Sequence, residues 1–306
     1  MECLPHIPVL LDEVLEQLAC HNGGVFIDGT FGAGGYTRAI LNASSGTRVI
    51  GLDRDPDAMT TGLTMEGQYP NRFSFIHDCF GNMAAHLDEP VDGIVLDLGV
   101  SSMQIDQPDR GFSLRFDGPL DMRMGQRGKS AKDYLNTLSE KDLADVIFKY
   151  GEEKASRRIA AAIVRERGQR PIVSTAQLAD VIHRVMPKPK DGSDSATRTF
   201  QALRIQVNDE LGELKRALDA SVRLLKPNGR LVIVSFHSLE DRLVKNFLIE
   251  HSVGHAHQNR YARSVVPPEQ GLFTILTRKP ITASAAELAA NPRSHSAKLR
   301  AAQRTA

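Results

Sequence analysis

A glycine-rich turn flanked by acidic residues offers the clearest binding chemistry in this sequence. The run DGTFGAGGYT (28–37) begins at the last residue of the strand pattern 25–28, and Asp53 closes a second such pattern at 48–53. In a doubly wound parallel sheet the first turn lies at the carboxyl edge, where ligands bind, and an acidic residue after the second strand accepts hydrogen bonds from a ribose diol. The pattern therefore predicts a nucleoside-binding turn.

The spacing of the glycines separates two classes of nucleoside cofactor. A dinucleotide fingerprint requires G-x-G-x-x-G, but after Gly32 and Gly34 the third glycine position is occupied by Thr37. Asp28, beside the same turn, disfavours a pyrophosphate and suits a cationic amino-acid group. These features favour S-adenosylmethionine, with its ammonium, sulfonium and ribose, over NAD. An NAD-dependent oxidoreductase stays as an alternative, because it would explain the sheet pattern and Asp53.

Further polar residues follow other strand patterns at the same expected edge. Asp97 ends a fourth run, where it would meet cofactor or substrate, or cap the next segment. Asp78 and Phe80 follow a third run and would lie near an adenine, unless they are ordinary loop residues. SFHSLEDR (235–242) combines Ser, His and acids. A hydrolase is nevertheless disfavoured, because no G-x-S-x-G elbow is present and adjacent residues rarely form a triad.

The elements that must position these residues alternate between strands and helices. Such alternation predicts an α/β fold, with a doubly wound parallel sheet and helices on both faces. A turn at 226–229 precedes the fifth strand. The predicted strands are 25–28, 48–53, 73–76, 93–98, 230–235 and 272–277.

The strand pattern stops in the middle of the chain. A Gly/Asp/Arg-rich loop at 105–129 is followed by helical periodicity with capping residues such as Ser139 and Ser174. We therefore predict a discontinuous α/β domain made of 1–105 and 206–306, interrupted by an inserted helical domain at 106–205.

Composition narrows the class of protein. The 306 residues are 41% hydrophobic and 25% charged, typical of soluble globular proteins. No apolar run approaches the ~20 residues of a membrane helix, and the N-terminus lacks the basic region of a secretory signal. The three cysteines lie far apart, and His251, His255 and His257 have no nearby cysteine or acidic pair to complete a metal site. We expect a reduced cytoplasmic protein without a metal or a membrane partner.

Charge is distributed unevenly along the chain. Residues 1–105 contain 4 Lys+Arg against 14 Asp+Glu, whereas residues 106–205 contain 19 against 14 and residues 255–306 contain 8 against 2. Two basic regions beside an acidic one favour a polyanion held by particular surfaces. Solvated helix faces are the alternative explanation of the same charges.

Several long blocks follow one another in fixed order from residue 6 onward: HIPVLLDE (6–13), DGTFGAGGYT (28–37), LDRDP (52–56), LDLGVSS (96–102), RGFS (110–113), GPLDMRM (118–124), TRTFQALRI (197–205) and SFHSLEDR (235–242). Together they resemble the bacterial small-subunit ribosomal RNA methyltransferase H family. The resemblance implies S-adenosylmethionine-dependent N4-methylation of a cytidine in the decoding region of 16S ribosomal RNA. It also implies a class I methyltransferase fold, Rossmann-like, with an inserted helical substrate-recognition domain.

The resemblance further implies the site residues. The cofactor contacts would be Gly34, Gly35, Tyr36, Asp53, Phe80, Asp97 and Gln104. Tyr36 departs from the family, in which many members have His. A backbone contact would survive this difference, whereas a side-chain contact would not.

Asp97 is also the candidate catalytic residue. The N4 lone pair of cytosine is delocalised into the ring, and a hydrogen-bond acceptor on the amino group localises it. The base must leave any stack to reach the methyl donor. The implied partner is 16S ribosomal RNA within the small ribosomal subunit. A homo-oligomer is left open, and a non-catalytic RNA-binding assembly factor is a second alternative.

Overall fold

The computed structural model describes residues 8–187, 192, 194–252 and 271–306. His6 and Ile7 of the first sequence block, and His255 and His257, lie outside the described residues. Two compact units are formed: one extends to Gly99 and resumes at Leu211, and the other comprises Val100–Glu210.

The strands are β1 (Gly24–Asp28), β2 (Thr47–Leu52), β3 (Phe73–Ile76), β4 (Val91–Asp97), β5 (Leu225–Ser235), β6 (Phe273–Ile275) and β7 (Lys298–Arg304). The α-helices are α1 (Leu11–Leu18), α2 (Gly35–Ala43), α3 (Asp57–Gln68), α4 (Ser102–Asp106), α5 (Ala131–Thr137), α6 (Glu140–Gly151), α7 (Ser156–Arg167), α8 (Thr175–Val185), α9 (Thr197–Asn208), α10 (Glu210–Leu224), α11 (Ser238–Glu250) and α12 (Ala285–Ala290). No helix among the described residues is long and apolar enough to cross a membrane.

The first unit is built on a seven-stranded sheet with the order β3-β2-β1-β4-β5-β7-β6. The first five strands are parallel, and β7 lies antiparallel between β5 and β6. Buried side chains of α1, α2 and α3 pack in one core cluster, and those of α10 and α11 pack in the other. Helices on both faces explain why the central strands are almost continuously apolar. The predicted doubly wound α/β sheet is confirmed.

Two details of the sheet differ from the prediction. Strand β7 was not predicted, because its sequence KLRAAQR has neither an apolar run nor strict alternation. The predicted turn at 226–229 lies within β5, where Asn228 has φ 68 and the pairing with β4 shifts register between Val91 and Gly93. The chain there bulges and continues the strand.

The second unit is helical, as its sequence pattern indicates. Residues of α5 to α9 share one buried cluster that includes Leu143, Ile147 and Ile163. Ser139 and Ser174 act as helix N-caps, accepting hydrogen bonds from the backbone of residues 142 and 177. The helical periodicity that continues past residue 208 is divided into α9 and α10 by Asp209, whose φ is 50.

Candidate functional site

The glycine-rich turn after β1 is tied to a neighbouring strand on each side. Its Gly32 N–H donates to Asp53 Oδ2 at 2.7 Å, just beyond the end of β2. On the other side, the Asp97 N–H donates to Thr30 Oγ1 at 2.7 Å, at the end of β4. The sheet order β2-β1-β4 therefore brings Asp53 and Asp97 to opposite flanks of one turn, which is where a switch point places a ligand.

Asp28 stabilises this turn through hydrogen bonds to both of its carboxylate oxygens. Its Oδ1 accepts from the Thr30 N–H at 3.2 Å, and its Oδ2 accepts from the Thr37 hydroxyl at 2.8 Å. Burial raises the pKa of Asp28 to about 6, and these hydrogen bonds oppose the rise. The sequence suggested that Asp28 faces a cationic ligand, but both of its oxygens are engaged within the turn.

Asp53 is held by backbone amides on both oxygens. Besides the bond from Gly32, its Oδ1 accepts from the Asp55 N–H at 2.8 Å. Burial raises its pKa to about 6. Because each carboxylate oxygen has two lone pairs, the oriented group retains acceptor capacity for a diol.

Asp97 differs from the other two carboxylates. Its Oδ1 is buried and has no hydrogen-bond partner among the described residues. Burial raises the pKa of Asp97 well above its usual range, and the nearby charges of Asp28 and Glu240 raise it further. An unsatisfied buried acceptor costs about 1–3 kcal/mol. A ligand that donates a hydrogen bond or carries positive charge would offset this cost.

The glycines of the turn serve two different purposes. A Cβ on Gly34, where φ is +75, would lie 2.5 Å from Met65 Cε, and a Cβ on Gly35 would lie 2.5 Å from Pro8 Cγ. These two glycines are needed by the packing of the protein itself. A Cβ on Gly32 would meet only the Thr30 carbonyl, at 3.9 Å. Gly32 is therefore the position where open space adjoins the turn, and sequence spacing alone did not single it out.

The remaining predicted contacts occupy different places. Tyr36 is buried, and its hydroxyl donates to the Val9 carbonyl, so only its backbone is left for a ligand. Phe80 is half-buried, with its Cβ 3.1 Å from the position of a Cβ on Gly29. Gln104 belongs to the other unit, where it forms a capping box with Ser101 at the start of α4.

Asp78, which the sequence placed near an adenine, is engaged by its own neighbourhood. Its Oδ1 accepts from the Cys79 N–H at 2.7 Å and from Asn82 at 2.9 Å, and its Oδ2 lies 2.8 Å from His86 Nε2. These contacts stabilise the turn after β3.

The SFHSLEDR block is a helix cap and not a hydrolytic triad. His237 Nδ1 accepts from the Glu240 N–H at 3.4 Å, while Glu240 Oε2 accepts from the N–H groups of Phe236 and His237 at 2.9 and 3.2 Å. The Ser235 hydroxyl donates to the Lys298 carbonyl, at 3.3 Å. This reciprocal cap fixes the chain as it leaves β5. It also places Glu240, which sequence reasoning did not select, in the electrostatic surroundings of Asp97.

Comparison with known proteins identifies the family to which this chain is similar. A family model described as the MraW methylase family matches residues 3–305. A ribosomal RNA small subunit methyltransferase H of Rhodospirillum centenum is 53% identical over 304 residues, covering 98% of this chain and 92% of the relative. A protein of the same name from Paramagnetospirillum magneticum is 55% identical over 311 residues, covering 99% and 96%. A putative methyltransferase of Streptococcus mutans, solved in complex with SAH, aligns with a TM-score of 0.44 at 11% identity, covering 98% of this chain and 99% of that one.

Proposed function

The chain belongs to the MraW methylase family, and we propose that it methylates the exocyclic N4 of a cytidine in the decoding region of 16S ribosomal RNA. Family membership makes it a methyltransferase, and its methyl donor is S-adenosylmethionine. This identity replaces the alternatives of an oxidoreductase and of a non-catalytic assembly factor. The name of the curated relatives, ribosomal RNA small subunit methyltransferase H, supports small-subunit ribosomal RNA as the substrate.

The carboxyl edge of the sheet suits this cofactor in charge and in hydrogen-bond acceptors. Asp53 is oriented to accept hydrogen bonds from a ribose diol, and the Asp97 carboxyl group at the end of β4 suits a neighbouring positive charge. When bound, S-adenosylmethionine supplies an electrophilic sulfonium methyl group. The residues that we propose to contact it are Gly34, Gly35, Tyr36, Asp53, Phe80, Asp97 and Gln104.

Asp97 carries the proposal, because its buried Oδ1 lacks a hydrogen-bond partner among the residues that the structure describes, at the edge where a ligand binds. The amino nitrogen of cytosine is a weak nucleophile, since its lone pair is delocalised into the ring. A hydrogen bond from this amino group to Asp97 Oδ1 would localise the lone pair as the new N–C bond forms and the bond between sulfur and the transferred methyl group breaks, leaving a neutral thioether. The raised pKa of Asp97 suits it to take the proton that N4 then loses.

The helical unit is the proposed site of RNA recognition. The target cytosine must leave its base stack to be methylated. The RNA on either side of this base must therefore be bound by protein surfaces outside the cofactor site. The excess of Lys and Arg at 106–205 is suited to phosphates. We expect the substrate to be presented in the small ribosomal subunit, in the cytoplasm.

The proposal is tested by methyl transfer from labelled S-adenosylmethionine to naked 16S ribosomal RNA and to purified small subunits. Nucleoside mass spectrometry should detect N4-methylcytidine in the decoding region in at least one of these substrates. Methylation at C5 of cytosine, at the 2′-hydroxyl or at another base would refute the assigned reaction.

A further inference from the structure

A rigid loop in the helical unit presents an aromatic and a cationic side chain to solvent. Phe116 is 53% exposed, and its neighbour Arg115 is also exposed. Earlier in the same loop, Phe112 and Leu114 pack against the core of the unit. A single exposed apolar side chain is common on protein surfaces and means little by itself. Phe116 differs from other exposed apolar residues because hydrogen bonds and close contacts fix the backbone around it.

The Thr175 hydroxyl anchors the loop. It accepts from the Gly118 N–H at 3.1 Å and donates to the Phe116 carbonyl at 3.1 Å. The Thr175 N–H donates in turn to the Gly118 carbonyl at 2.9 Å, and the Ala176 N–H donates to Asp117 Oδ1 at 3.0 Å. The backbone from the Phe116 carbonyl to Gly118 is thus bonded to the first turn of α8.

Close backbone contacts fix the same loop from the other side. A Cβ on Gly118 would lie 2.0 Å from the Pro108 carbonyl oxygen, and a Cβ on Gly111, where φ is +70, would lie 2.0 Å from the Pro119 carbonyl oxygen. Only glycine allows two backbones to approach this closely. The loop therefore holds Phe116 in place without using its side chain for packing.

A second exposed basic segment lies about ten residues further along the chain. Arg127 and Lys129 are exposed, and the backbone between them is held by a hydrogen bond from Arg123 Nη1 to the Gly128 carbonyl, at 3.1 Å. Arg123 is itself paired with Asp121, at 2.7 Å. The stretch 115–129 thus combines an exposed ring with several exposed cations on an ordered scaffold.

From this construction we infer that Arg115 and Phe116 form a stacking contact for single-stranded RNA, with the Phe116 ring against a base and Arg115 at a phosphate. An aromatic ring with a neighbouring guanidinium is the usual means of holding unpaired bases. A preformed contact loses little conformational entropy on binding. This inference rests on the proposed function, and it identifies which part of the helical unit binds the RNA.

The test measures binding of a fluorescein-labelled single-stranded RNA with the decoding-region sequence to the full-length protein. Phe116→Ala should weaken the Kd roughly 5- to 100-fold, the range of one lost base stack, and Phe116→Trp should restore it. Arg115→Gln should reduce the slope of log Kd against log salt by about one. The affinity for S-adenosylmethionine should be unchanged in all three variants.

Phe148 provides a matched control, because it is a 60% exposed phenylalanine on α6 of the same unit. Phe148→Ala should bind the RNA as the wild type does. Wild-type binding by Phe116→Ala, or equal losses for the two variants, would overturn the inference. So would a defect seen only with assembled subunits, because Phe116 would then not bind single-stranded RNA.

The proposed reaction and the proposed stacking contact can fail independently, and the two measurements distinguish these outcomes. If the wild type forms no N4-methylcytidine but Phe116→Ala still loses RNA affinity, the reaction is wrong and the stacking contact stands. If the wild type forms N4-methylcytidine and Phe116→Ala binds normally, only the stacking contact is wrong.

Discussion

The ends of β2 and β4 both carry an aspartate beside the same glycine-rich turn, and the fold treats the two carboxylates differently. Both oxygens of Asp53 accept backbone N–H groups, from Gly32 and Asp55. At Asp97 the backbone N–H is bonded, to Thr30, while the buried side-chain Oδ1 has no partner among the described residues.

This difference indicates that the two carboxylates have separate roles. A carboxylate fixed by amides is oriented in advance, and it can accept from hydroxyl groups without changing its own charge. A buried carboxylate whose oxygen lacks a partner interacts strongly with any donor or cation that reaches it, and its protonation responds to that group. We therefore expect changes at Asp53 to alter cofactor binding and changes at Asp97 to alter the reaction rate.

Asp97→Asn should show the largest effect. The amide keeps the shape but removes the charge and half of the acceptor capacity. The single-turnover rate at saturating S-adenosylmethionine should fall by about 10²–10³, with little change in cofactor affinity. If turnover at saturating cofactor is near normal and S-adenosylmethionine binds more weakly, Asp97 acts in cofactor binding. Asp97 and Asp53 would then have the same role.

Asp53→Ala should weaken cofactor binding without a comparable loss of rate at saturation. Leaving ribose hydroxyls unpaired should cost roughly 2–4 kcal/mol, allowing about 1–3 for each lost partner. Isothermal titration calorimetry measures this cost. Asp57→Ala, an exposed acidic position at the start of α3, serves as the control and should bind normally. Unchanged affinity in Asp53→Ala would contradict the diol assignment.

Cofactor affinity should depend on pH through Asp53. Burial raises its pKa to about 6 in the free protein, so it is ionised above that value and becomes protonated below it. Protonation removes the charge and one acceptor, and Kd should therefore rise by about tenfold between pH 7 and pH 5. In Asp53→Asn this dependence should become shallower. Asp28 has a similarly raised pKa. Any pH dependence of the cofactor Kd that remains in Asp53→Asn therefore measures the contribution of Asp28.

Thr30→Val should produce the smallest of these effects. The variant loses the acceptor for the Asp97 N–H, a single hydrogen bond worth about 1 kcal/mol. The turnover number should fall about fivefold, and Thr30→Ser should restore it. If Thr30→Val changes the KM for cofactor and leaves turnover intact, the bond between the turn and β4 does not position Asp97 for the reaction.

Much of the fold follows from local patterns in the sequence. The strand at Phe73–Ile76 agrees with its predicted limits, and Ser174 caps α8 as its spacing to Gln177 indicates. The family assignment, which was based on long blocks such as 28–37 and 235–242, is confirmed by the family model that matches residues 3–305. The residue contacts drawn from that resemblance stay predictions.

Other features depend on partners that local sequence does not reveal. Strand β7 is a strand because β5 and β6 pair with it on both sides, which places Ala301 and Ala302 in the core. Its own residues have weak strand preference, and tertiary pairing overrides it. The SFHSLEDR block looked like a set of reactive side chains, yet its His and Glu form a helix cap.

The sequence by itself determined that acidic residues stand at the carboxyl ends of strands β1, β2 and β4, and the alternation of elements determined that these residues meet at one sheet edge. Only the tertiary structure decided which of their oxygens are already occupied. Both oxygens of Asp28 accept hydrogen bonds within its own turn, and each oxygen of Asp53 accepts one backbone amide and keeps a lone pair for a ligand, whereas Asp97 Oδ1 has no partner among the described residues. The physical reason is that a strand-end side chain is satisfied by groups from other parts of the chain. Thr30 and Asp97 are 67 residues apart, and no local pattern records their contact.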